Sequence, residues 1–340
     1  MSKTRLLIFA GVAMMAAASA QTLINGAGAT FPYPIYSKWF NEYKKLHPDI
    51  QINYQSRGSG AGVQQVTAGT VDFGASDYIL TDAQLKEFLE KRGSDLLAFP
   101  TVLGAVVPTY DIPGVTATLN FTPEALAGIY LGKITKWNDP ELTKANPGVN
   151  LPNNNILVVY RAEASGTSFI WTDYLSKVSK EWEMKVGRAP SVKWPVGIGG
   201  QGNEGVTGQV KQSRNSIGYV ELTYALQNKE PYGKVKNAAG EFTEPNLASV
   251  TAAAAGAVKT IPDDFRVSIT DAPGKGVYPI TSFTWLLMPA KIADPAKKKA
   301  LTDFLAWMLK DGQTMTQALG YAPLPKEVVA KESKAIAKIK

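Results

Sequence analysis

Short apolar runs alternate along the chain with segments in which apolar residues recur every three or four positions. The run Ile156–Tyr160 is continuously apolar, which is typical of a strand buried on both faces in a parallel sheet. Apolar residues then return at helical spacing from Ile170 to Val178, so this segment is predicted to be an amphipathic helix. The same order of strand, turn and helix recurs throughout, and it predicts an α/β protein with mainly parallel sheets.

The turn between this strand and this helix carries groups that suit an anion. Ser165 stands at the N-cap position and is followed by Gly166 and Thr167, while Arg161 lies four residues upstream, at the strand end. A helix start has unpaired backbone N–H groups and the positive end of the helix dipole, and both stabilise a bound anion. An ordinary capped helix with a surface arginine is the alternative explanation.

Two other turns repeat this chemistry. Thr30 and Phe31 lie between a short strand and a predicted helix, and the glycine-rich turn Arg57–Gly62 contains Ser59. Glycines let a backbone approach a ligand closely, so the second turn is either a phosphate-cradling turn or simply a flexible one. The sequence does not fix the position of the Ser59 hydroxyl within this turn.

A carboxylate ends the next predicted strand, Val71–Asp77. Thr81 and Gln84 already form a predicted capping box for the following helix, so Asp77 is not needed as its cap. Asp77 therefore lies at the carboxyl end of a strand, where open α/β sheets place their ligand groups. A turn-forming aspartate is the alternative.

The loop from Trp194 to Gly205 contains a G-x-G-x-x-G spacing. Its glycines are Gly200, Gly202 and Gly205. No second strand with an acidic partner for a ribose follows at the usual distance, and the Trp194–Pro195 pair interrupts the preceding strand. A dinucleotide site is therefore not predicted here.

The first 20 residues have the pattern of a secretory signal peptide. Lys3 and Arg5 precede the apolar run Leu6–Ala17, and Ala18–Ala20 is a small-x-small cleavage signal. The run is short for a bilayer span, which argues against a membrane anchor. The prediction is a soluble periplasmic or secreted protein. Because the 340 residues include no cysteine, a disulfide framework, a lipid attached through cysteine and a thiolate metal site are excluded.

The net charge is mildly positive. The formal value of +7 falls to +5 once Lys3 and Arg5 are removed with the signal peptide. Many lysines are scattered, so nucleic acid is not a predicted partner, and most of these lysines are expected to serve solubility. A mild positive field also helps to gather an anionic ligand.

Three helix starts and one strand-end carboxylate with suitable groups point to a shared target. A small tetrahedral oxyanion accepts many hydrogen bonds and is stabilised by dipoles that converge from several helix starts. Five motifs carry these groups or lie between them: Gly26–Pro32, Asp72–Asp77, Ser165–Phe169, Trp194–Pro195 with Gly199–Gly200, and Ile217–Val220. Their order and spacing resemble the family of periplasmic phosphate-binding proteins of bacterial phosphate ABC importers, over nearly the whole chain after residue 20.

The resemblance implies a type II periplasmic-binding-protein fold. Two α/β lobes, each with a mainly parallel sheet flanked by helices, are expected to enclose a ligand cleft. Residues 21–103 and 277–340 are expected to form lobe I, and residues 104–276 lobe II. The long extended stretch Phe99–Tyr110 is expected to pass from one sheet to another.

The resemblance also implies a ligand set and partners. By position, the phosphate-binding groups fall on Thr30, the amide of Phe31, Ser59, Asp77, Arg161, Ser165, Gly166 and Thr167. Glu163 stands where the family commonly has aspartate and is expected to hold Arg161 in place. The implied partners are inorganic phosphate and the inner-membrane ABC phosphate permease subunits, with a monomeric protein and neither a cofactor nor a metal ion.

Asp77 is predicted to select phosphate over sulfate. An ionised carboxylate accepts a hydrogen bond from the proton that phosphate keeps near pH 7, whereas sulfate has no such proton. Two buried acceptors that face each other cost roughly 1–3 kcal/mol or more. The same argument disfavours a molybdate receptor, while a phosphonate receptor stays open as an alternative.

An enzyme is the second alternative. A phosphatase or phosphotransferase would use Ser59 or Ser165 as its nucleophile. His47 is the only histidine and stands beside Pro48 at a predicted helix end, so a Ser-His-Asp arrangement is not expected. The sequence also lacks a G-x-x-x-x-G-K-[ST] motif and a histidine–carboxylate metal cluster. A binding protein is therefore predicted, not an enzyme.

Overall fold

The computed structural model describes residues 21–258 and 261–340, so the predicted signal peptide lies outside the described residues. The strands of the described residues are β1 (Thr22–Gly28), β2 (Ile50–Ser56), β3 (Phe73–Ser76), β4 (Leu96–Asp111), β5 (Asn120–Phe121), β6 (Leu157–Arg161), β7 (Ile198–Gly200), β8 (Ser216–Glu221), β9 (Lys234–Lys236), β10 (Phe242–Thr243) and β11 (Thr281–Pro289). The helices are α1 (Tyr33–Leu46), α2 (Ser59–Ala68), α3 (Asp82–Arg92), α4 (Pro123–Tyr130), α5 (Pro140–Ala145), α6 (Gly166–Val178), α7 (Lys180–Lys185), α8 (Gly202–Gln212), α9 (Leu222–Asn228), α10 (Leu247–Ala255), α11 (Pro295–Lys310) and α12 (Lys326–Ile336). Short 3-10 helices span Gly312–Met315 and Gln317–Leu319.

An eight-stranded mixed sheet lies at the centre, in the order β2-β1-β3-β11-β4-β8-β6-β7. At one end β1 pairs in parallel with β2 and β3, and at the other end β6 pairs in parallel with β7 and β8. In the middle, β11 is antiparallel to β3 and β4, and β4 is antiparallel to β8. The predicted α/β class is confirmed, with parallel pairing at the ends of the sheet and antiparallel pairing in its middle.

The strand β4 is 16 residues long and changes its partner along its length. Its residues from Leu96 to Ala105 pair with β11, and those from Val106 to Asp111 pair with β8. The first half-sheet (β2, β1, β3, β11) and the second half-sheet (β8, β6, β7) therefore share this strand. The predicted crossing stretch Phe99–Tyr110 thus lies within one continuous sheet and joins its two halves.

Aromatic side chains pack helices onto both half-sheets. On the first, Phe40 of α1 lies with its ring centroid 6.1 Å from that of Phe73 in β3. On the second, Trp171 of α6 stacks on Tyr219 of β8, with centroids 5.1 Å apart. Such pairs are buried and add geometric specificity to the apolar burial that holds each layer.

A small three-stranded sheet has the order β10-β9-β5. It adjoins the central sheet, because the backbone N–H of Gly233, directly before β9, donates to the carbonyl of Pro108 in β4. Within residues 21–258 and 261–340, no helix has both the length and the apolar character needed to cross a membrane.

Candidate functional site

The beginnings of four helices, α1, α2, α6 and α8, lie together between the two half-sheets. A hydrogen bond joins Ser59, at the start of α2, to Gly166, at the start of α6. Others join Asn203, in the first turn of α8, to Thr30, which precedes α1. Because a helix start presents N–H donors and the positive end of its dipole, this convergence creates a region that favours negative charge.

Ser59 is the first residue of α2 and is fully buried. Its Oγ accepts hydrogen bonds from the backbone N–H groups of Asp77 and Gly166, both at 3.1 Å, and donates to Oδ2 of Asp77 at 3.3 Å. The helix therefore begins inside the glycine-rich turn Arg57–Gly62 and not after it. This start fixes the position of the hydroxyl, which the sequence had left open.

Two glycines near Ser59 allow the close approach of these elements. A Cβ atom on Gly62 would lie 2.6 Å from the carbonyl oxygen of Ala75, so this glycine lets α2 pack directly on β3. A Cβ atom on Gly166 would lie 2.4 Å from Cβ of Asp77 and 2.5 Å from Oγ of Ser59. Glycine is thus required at position 166 for α6 to meet α2 and the end of β3.

Asp77 follows β3 and is 2% exposed. Burial raises the pKa of its carboxyl group to about 7, while a hydrogen bond from Thr284 and the positive charge of Arg161 act in the opposite direction. The hydroxyl of Thr284, on β11, donates to Oδ1 of Asp77 at 2.7 Å. Near neutral pH this carboxyl group can therefore either accept a proton or donate one.

Arg161 ends β6 and is 3% exposed. Its Nη1 donates to Oγ1 of Thr167 at 3.0 Å, and its Nε donates to Oε1 of Glu163 at 3.0 Å. Its Nη2 also donates to this oxygen of Glu163. The backbone N–H of Gly202, the first residue of α8, donates to the same Oε1 at 3.2 Å. Glu163 thus orients the guanidinium group and at the same time accepts a hydrogen bond from a helix start.

Ser165 and Phe31 complete the predicted set. The Oγ of Ser165 accepts a hydrogen bond from the backbone N–H of Ser168 at 3.2 Å, which confirms the predicted N-cap of α6. The carbonyl of Phe31 accepts a hydrogen bond from the hydroxyl of Tyr321 at 2.7 Å, and this bond anchors the turn before α1.

The structure brings most of the predicted residues into one cluster, in which two hydrogen-bonded groups meet at the adjacent residues Gly166 and Thr167. Its members from the predicted set are Thr30, Ser59, Asp77, Arg161, Glu163, Gly166 and Thr167. Ser165 and Phe31 are sequence neighbours of these residues and are buried beside them. The cluster combines neutral N–H and O–H donors with the ion-paired guanidinium group of Arg161 and the buried carboxyl group of Asp77.

Two cluster members were not predicted from the sequence. Thr284 lies in the uniformly buried strand β11, where its hydroxyl carries no local signal. Asn203 lies inside the G-x-G-x-x-G spacing of the loop from Trp194 to Gly205, directly after Gly202. A strand, a glycine-rich turn and a helix follow one another there, as they do at Ser165. This repeated order is the sequence pattern that could have identified Asn203 as a candidate.

No group of three or more His, Cys, Asp or Glu side chains is placed to hold a metal ion within the part of the chain that the structure describes. The single histidine, His47, stacks against Tyr43 at the end of α1, with ring centroids 4.4 Å apart. It therefore lies on a different element from Ser59 and Ser165, the residues considered as nucleophiles.

Comparisons with known proteins agree with this architecture. The family model for the PBP superfamily domain matches residues 15–311. A solved structure of a high affinity periplasmic phosphate-binding protein, PfluDING, has a TM-score of 0.71 and 22% sequence identity, and the match covers 92% of this chain and 93% of that one. The predicted two-lobe periplasmic-binding-protein fold is thereby confirmed.

Curated relatives are more similar in sequence. The phosphate-binding protein PstS of Pasteurella multocida is 47% identical over 313 residues, which cover 92% of this chain and 89% of the relative. The protein of the same name from Xylella fastidiosa is 46% identical over 307 residues, or 90% of this chain and 82% of the relative. The chain therefore belongs to the PBP superfamily and, within it, to the family whose curated members carry the name phosphate-binding protein PstS.

Proposed function

We propose that this protein binds inorganic phosphate with high affinity in the periplasm and delivers it to an inner-membrane ABC permease. The observation that carries the proposal is the buried cluster at Asp77, whose pKa burial raises to about 7. There Ser59 and Thr284, from the first half-sheet, bond the carboxyl group, and Gly166, from the second, bonds Ser59. The names of its relatives describe binding proteins, and the chain is a binding protein and not an enzyme.

The proposed ligand groups supply mostly neutral donors. They are the hydroxyls of Thr30, Ser59, Ser165 and Thr167, the amides of Phe31 and Gly166, the guanidinium of Arg161 and the carboxyl of Asp77. Glu163 holds Arg161 and offsets its charge. Preorganised dipoles of this kind stabilise a desolvated anion without a cluster of lysines. The convergence of four helix starts supports this assignment.

Asp77 supplies the preference for phosphate over fully deprotonated oxyanions. A carboxyl group with a pKa of about 7 and a ligand with a proton of similar acidity share one hydrogen between them at neutral pH. Sulfate and molybdate bring no proton, so at pH 8, where Asp77 is ionised, they face a buried negative acceptor. A phosphonate can share a proton with Asp77 in the same way. It differs from phosphate in its carbon substituent, so only the space around that substituent can exclude it from the site.

Lobe closure couples the two half-sheets to the ligand. The proposed lobes are residues 21–103 with 277–340, and residues 104–276, and the change of partner at Ala105 and Val106 of β4 supports this division. The bond from Gly166 to Ser59 bridges the two lobes directly. A ligand that contacts both lobes binds the closed form more tightly than the open form and therefore shifts the population toward closure. We propose that the permease recognises this closed form of a monomeric protein.

The test is calorimetric titration of the protein comprising residues 21–340. Phosphate is expected to bind with a far lower Kd than sulfate, molybdate or methylphosphonate at pH 8. Equal or tighter binding of sulfate would contradict the proposal, and so would the absence of phosphate binding. Secretion of the full chain with loss of its first 20 residues, seen by mass spectrometry of the periplasmic fraction, tests the proposed location.

A further inference from the structure

Asn203 is a fully buried residue whose side chain connects three neighbours. Its Oδ1 accepts a hydrogen bond from the backbone N–H of Glu221 at 2.9 Å, which fixes the orientation of the amide group. Its Nδ2 therefore faces the other way and donates to Oγ1 of Thr30 at 2.8 Å and to Oγ1 of Thr167 at 3.3 Å. The backbone N–H of Asn203 also donates to Oγ1 of Thr30, at 3.3 Å.

These contacts restrict what the two hydroxyl groups can do. A hydroxyl has two acceptor lone pairs and one donor. The Oγ1 of Thr30 accepts both of its hydrogen bonds from Asn203, and the Oγ1 of Thr167 accepts one from Asn203 and one from Nη1 of Arg161. Among residues 21–258 and 261–340, both oxygens act only as acceptors. Each O–H proton is therefore left to point away from these donors.

We propose that Asn203 is a positioning residue, which commits the hydroxyls of Thr30 and Thr167 to donate toward the bound anion. The inference rests on the proposed function. Thr30 precedes α1 on the first half-sheet and Thr167 lies in α6 on the second, so one amide group orients a donor on each side of the cleft. A ligand that presents a donor to either hydroxyl would leave a buried polar group unpaired, which restricts the site to ligands with acceptor oxygens on both sides.

A mutant cycle with inorganic phosphate tests the inference. Asn203→Ala is expected to raise the Kd for phosphate roughly ten- to hundredfold, because both hydroxyls lose their fixed orientation. In the Thr30→Val/Thr167→Val background the same change is expected to raise the Kd less than about threefold, since no hydroxyl remains to be oriented. An equal fold-change in both backgrounds would overturn the inference, because it would show that Asn203 does not act through the threonines.

The isosteric variant Asn203→Asp guards against a simple loss of folding. Its carboxylate keeps an acceptor for the N–H of Glu221 but offers acceptors, not donors, to Thr30 and Thr167. At pH 8 phosphate binding is expected to weaken about a hundredfold or more. A cooperative thermal transition of the ligand-free variant at the same pH shows that it is folded. Lowering the pH from 8 to 5 increases the fraction of the new carboxyl group that carries a proton and can donate, so the ratio of variant to wild-type Kd should shrink.

The ratio isolates position 203, because the charged groups around it, Asp77, Arg161, Glu163 and Glu221, are the same in both proteins. A ratio that stays constant from pH 8 to pH 5 would contradict the inference.

Asn146→Ala is the matched control. Asn146 is 4% exposed and its amide group is similarly bonded, since it accepts from the N–H of Asn120 at 2.7 Å and donates to two carbonyl groups at 2.9 Å. Its loss is expected to lower the ligand-free Tm with an unchanged Kd for phosphate. An equal loss of affinity in both alanine variants would overturn the inference. Failure of the wild type to bind phosphate would overturn the proposed function as well.

Discussion

Asp77 is buried at the centre of the cluster, and the pKa of its carboxyl group is raised. Its carboxyl group contacts Ser59 and Thr284 and lies within electrostatic range of Arg161. A turn-forming aspartate would instead be exposed and would bond the backbone N–H two positions along. The burial and the observed contacts of Asp77 therefore do not fit a turn-forming aspartate.

Asp77→Asn is predicted to reduce the preference for phosphate over sulfate at least tenfold at pH 8. The asparagine amide can donate to a sulfate oxygen, so the penalty of two opposed acceptors, roughly 1–3 kcal/mol or more, is relieved. Competition calorimetry with the two anions measures the change.

Asp72→Asn is the matched control for this prediction. Asp72 lies in the same sequence motif but bonds the N–H of Asn25 and the side chain of Lys297, away from the cluster. Its replacement is expected to leave the selectivity intact. An unchanged preference in Asp77→Asn itself would show that the carboxyl group does not select the ligand.

The stability of the ligand-free protein is predicted to fall as the pH rises from about 4 to 7. The folded pKa of Asp77, about 7, exceeds its ordinary value of 3.8, so the folded state holds the proton more tightly and loses this advantage as the pH passes through 7. The effect is about 4 kcal/mol. Urea unfolding of ligand-free Asp77→Asn should match the wild type near pH 4 and exceed it at pH 7.5. Equal stability at both pH values would mean that Asp77 titrates normally.

Helix starts were predictable where a side chain makes the cap. The capping box of Thr81 and Gln84 and the cap at Ser165 appear where the sequence placed them, because such signals lie within four residues of one another. The start of α2 was not predictable in this way, because its N-cap is Gly58, which has a φ of 93° and makes no side-chain hydrogen bond. A glycine N-cap has no side chain that could cap the helix, so the residue types do not indicate which position is the first helical one.

Contacts between distant elements were the least predictable part of the cluster. Asn203 meets Thr30 across 173 residues, and Thr284 meets Asp77 across 207. The second contact depends on the strand order, in which β11 lies beside β3. Periodicity specifies which face of an element is buried, but not which neighbour it meets. The other cluster members were predicted from the resemblance of the motifs to a known family, because such a resemblance implies a shared three-dimensional arrangement.

Helix α12 contains a carboxyl group that its surroundings do not satisfy. Glu332 is fully buried, and both of its carboxyl oxygens lack a hydrogen-bond partner within the described residues. Burial raises its pKa well above the ordinary value. Val328, one turn earlier, is also fully buried, so this face of α12 packs against the protein interior at both positions.

Glu332→Leu is predicted to raise the free energy of unfolding by about 1–3 kcal/mol at pH 7, because an apolar side chain of similar size replaces an unsatisfied polar group. The gain should grow with pH, as ionisation of the buried carboxyl becomes more costly for the wild type. Glu332→Gln serves as the control: it removes the titration but keeps an unsatisfied group, so its gain should be smaller. Destabilisation by Glu332→Leu would reveal a partner for the carboxyl group.

At the scale of the whole molecule, the closure that we propose requires the contact between α2 and α6. Gly166→Ala is predicted to raise the Kd for phosphate more than about a hundredfold, because the added methyl group would overlap Asp77 and Ser59 and hold the lobes apart. Alanine is a better helix former than glycine, so the stability of the ligand-free protein should not fall. Small-angle scattering should show that phosphate no longer reduces the radius of gyration.

Gly208→Ala is the control, because Gly208 lies within α8 and a Cβ atom there would meet nothing within 4 Å. This variant should compact with phosphate like the wild type. Compaction of Gly166→Ala to the same extent would contradict the predicted overlap.

The strand that both half-sheets share has a practical consequence for protein engineering. Splitting the polypeptide within β4 would separate the two half-sheets and leave backbone N–H and C=O groups unpaired at the new sheet edges. Such exposed edges promote aggregation. A two-piece biosensor is better divided at an exposed turn such as Gly148, where φ is 82° and no neighbouring atom would be disturbed. Reassembly of the pieces would then report ligand capture with the backbone ladder of β4 left whole.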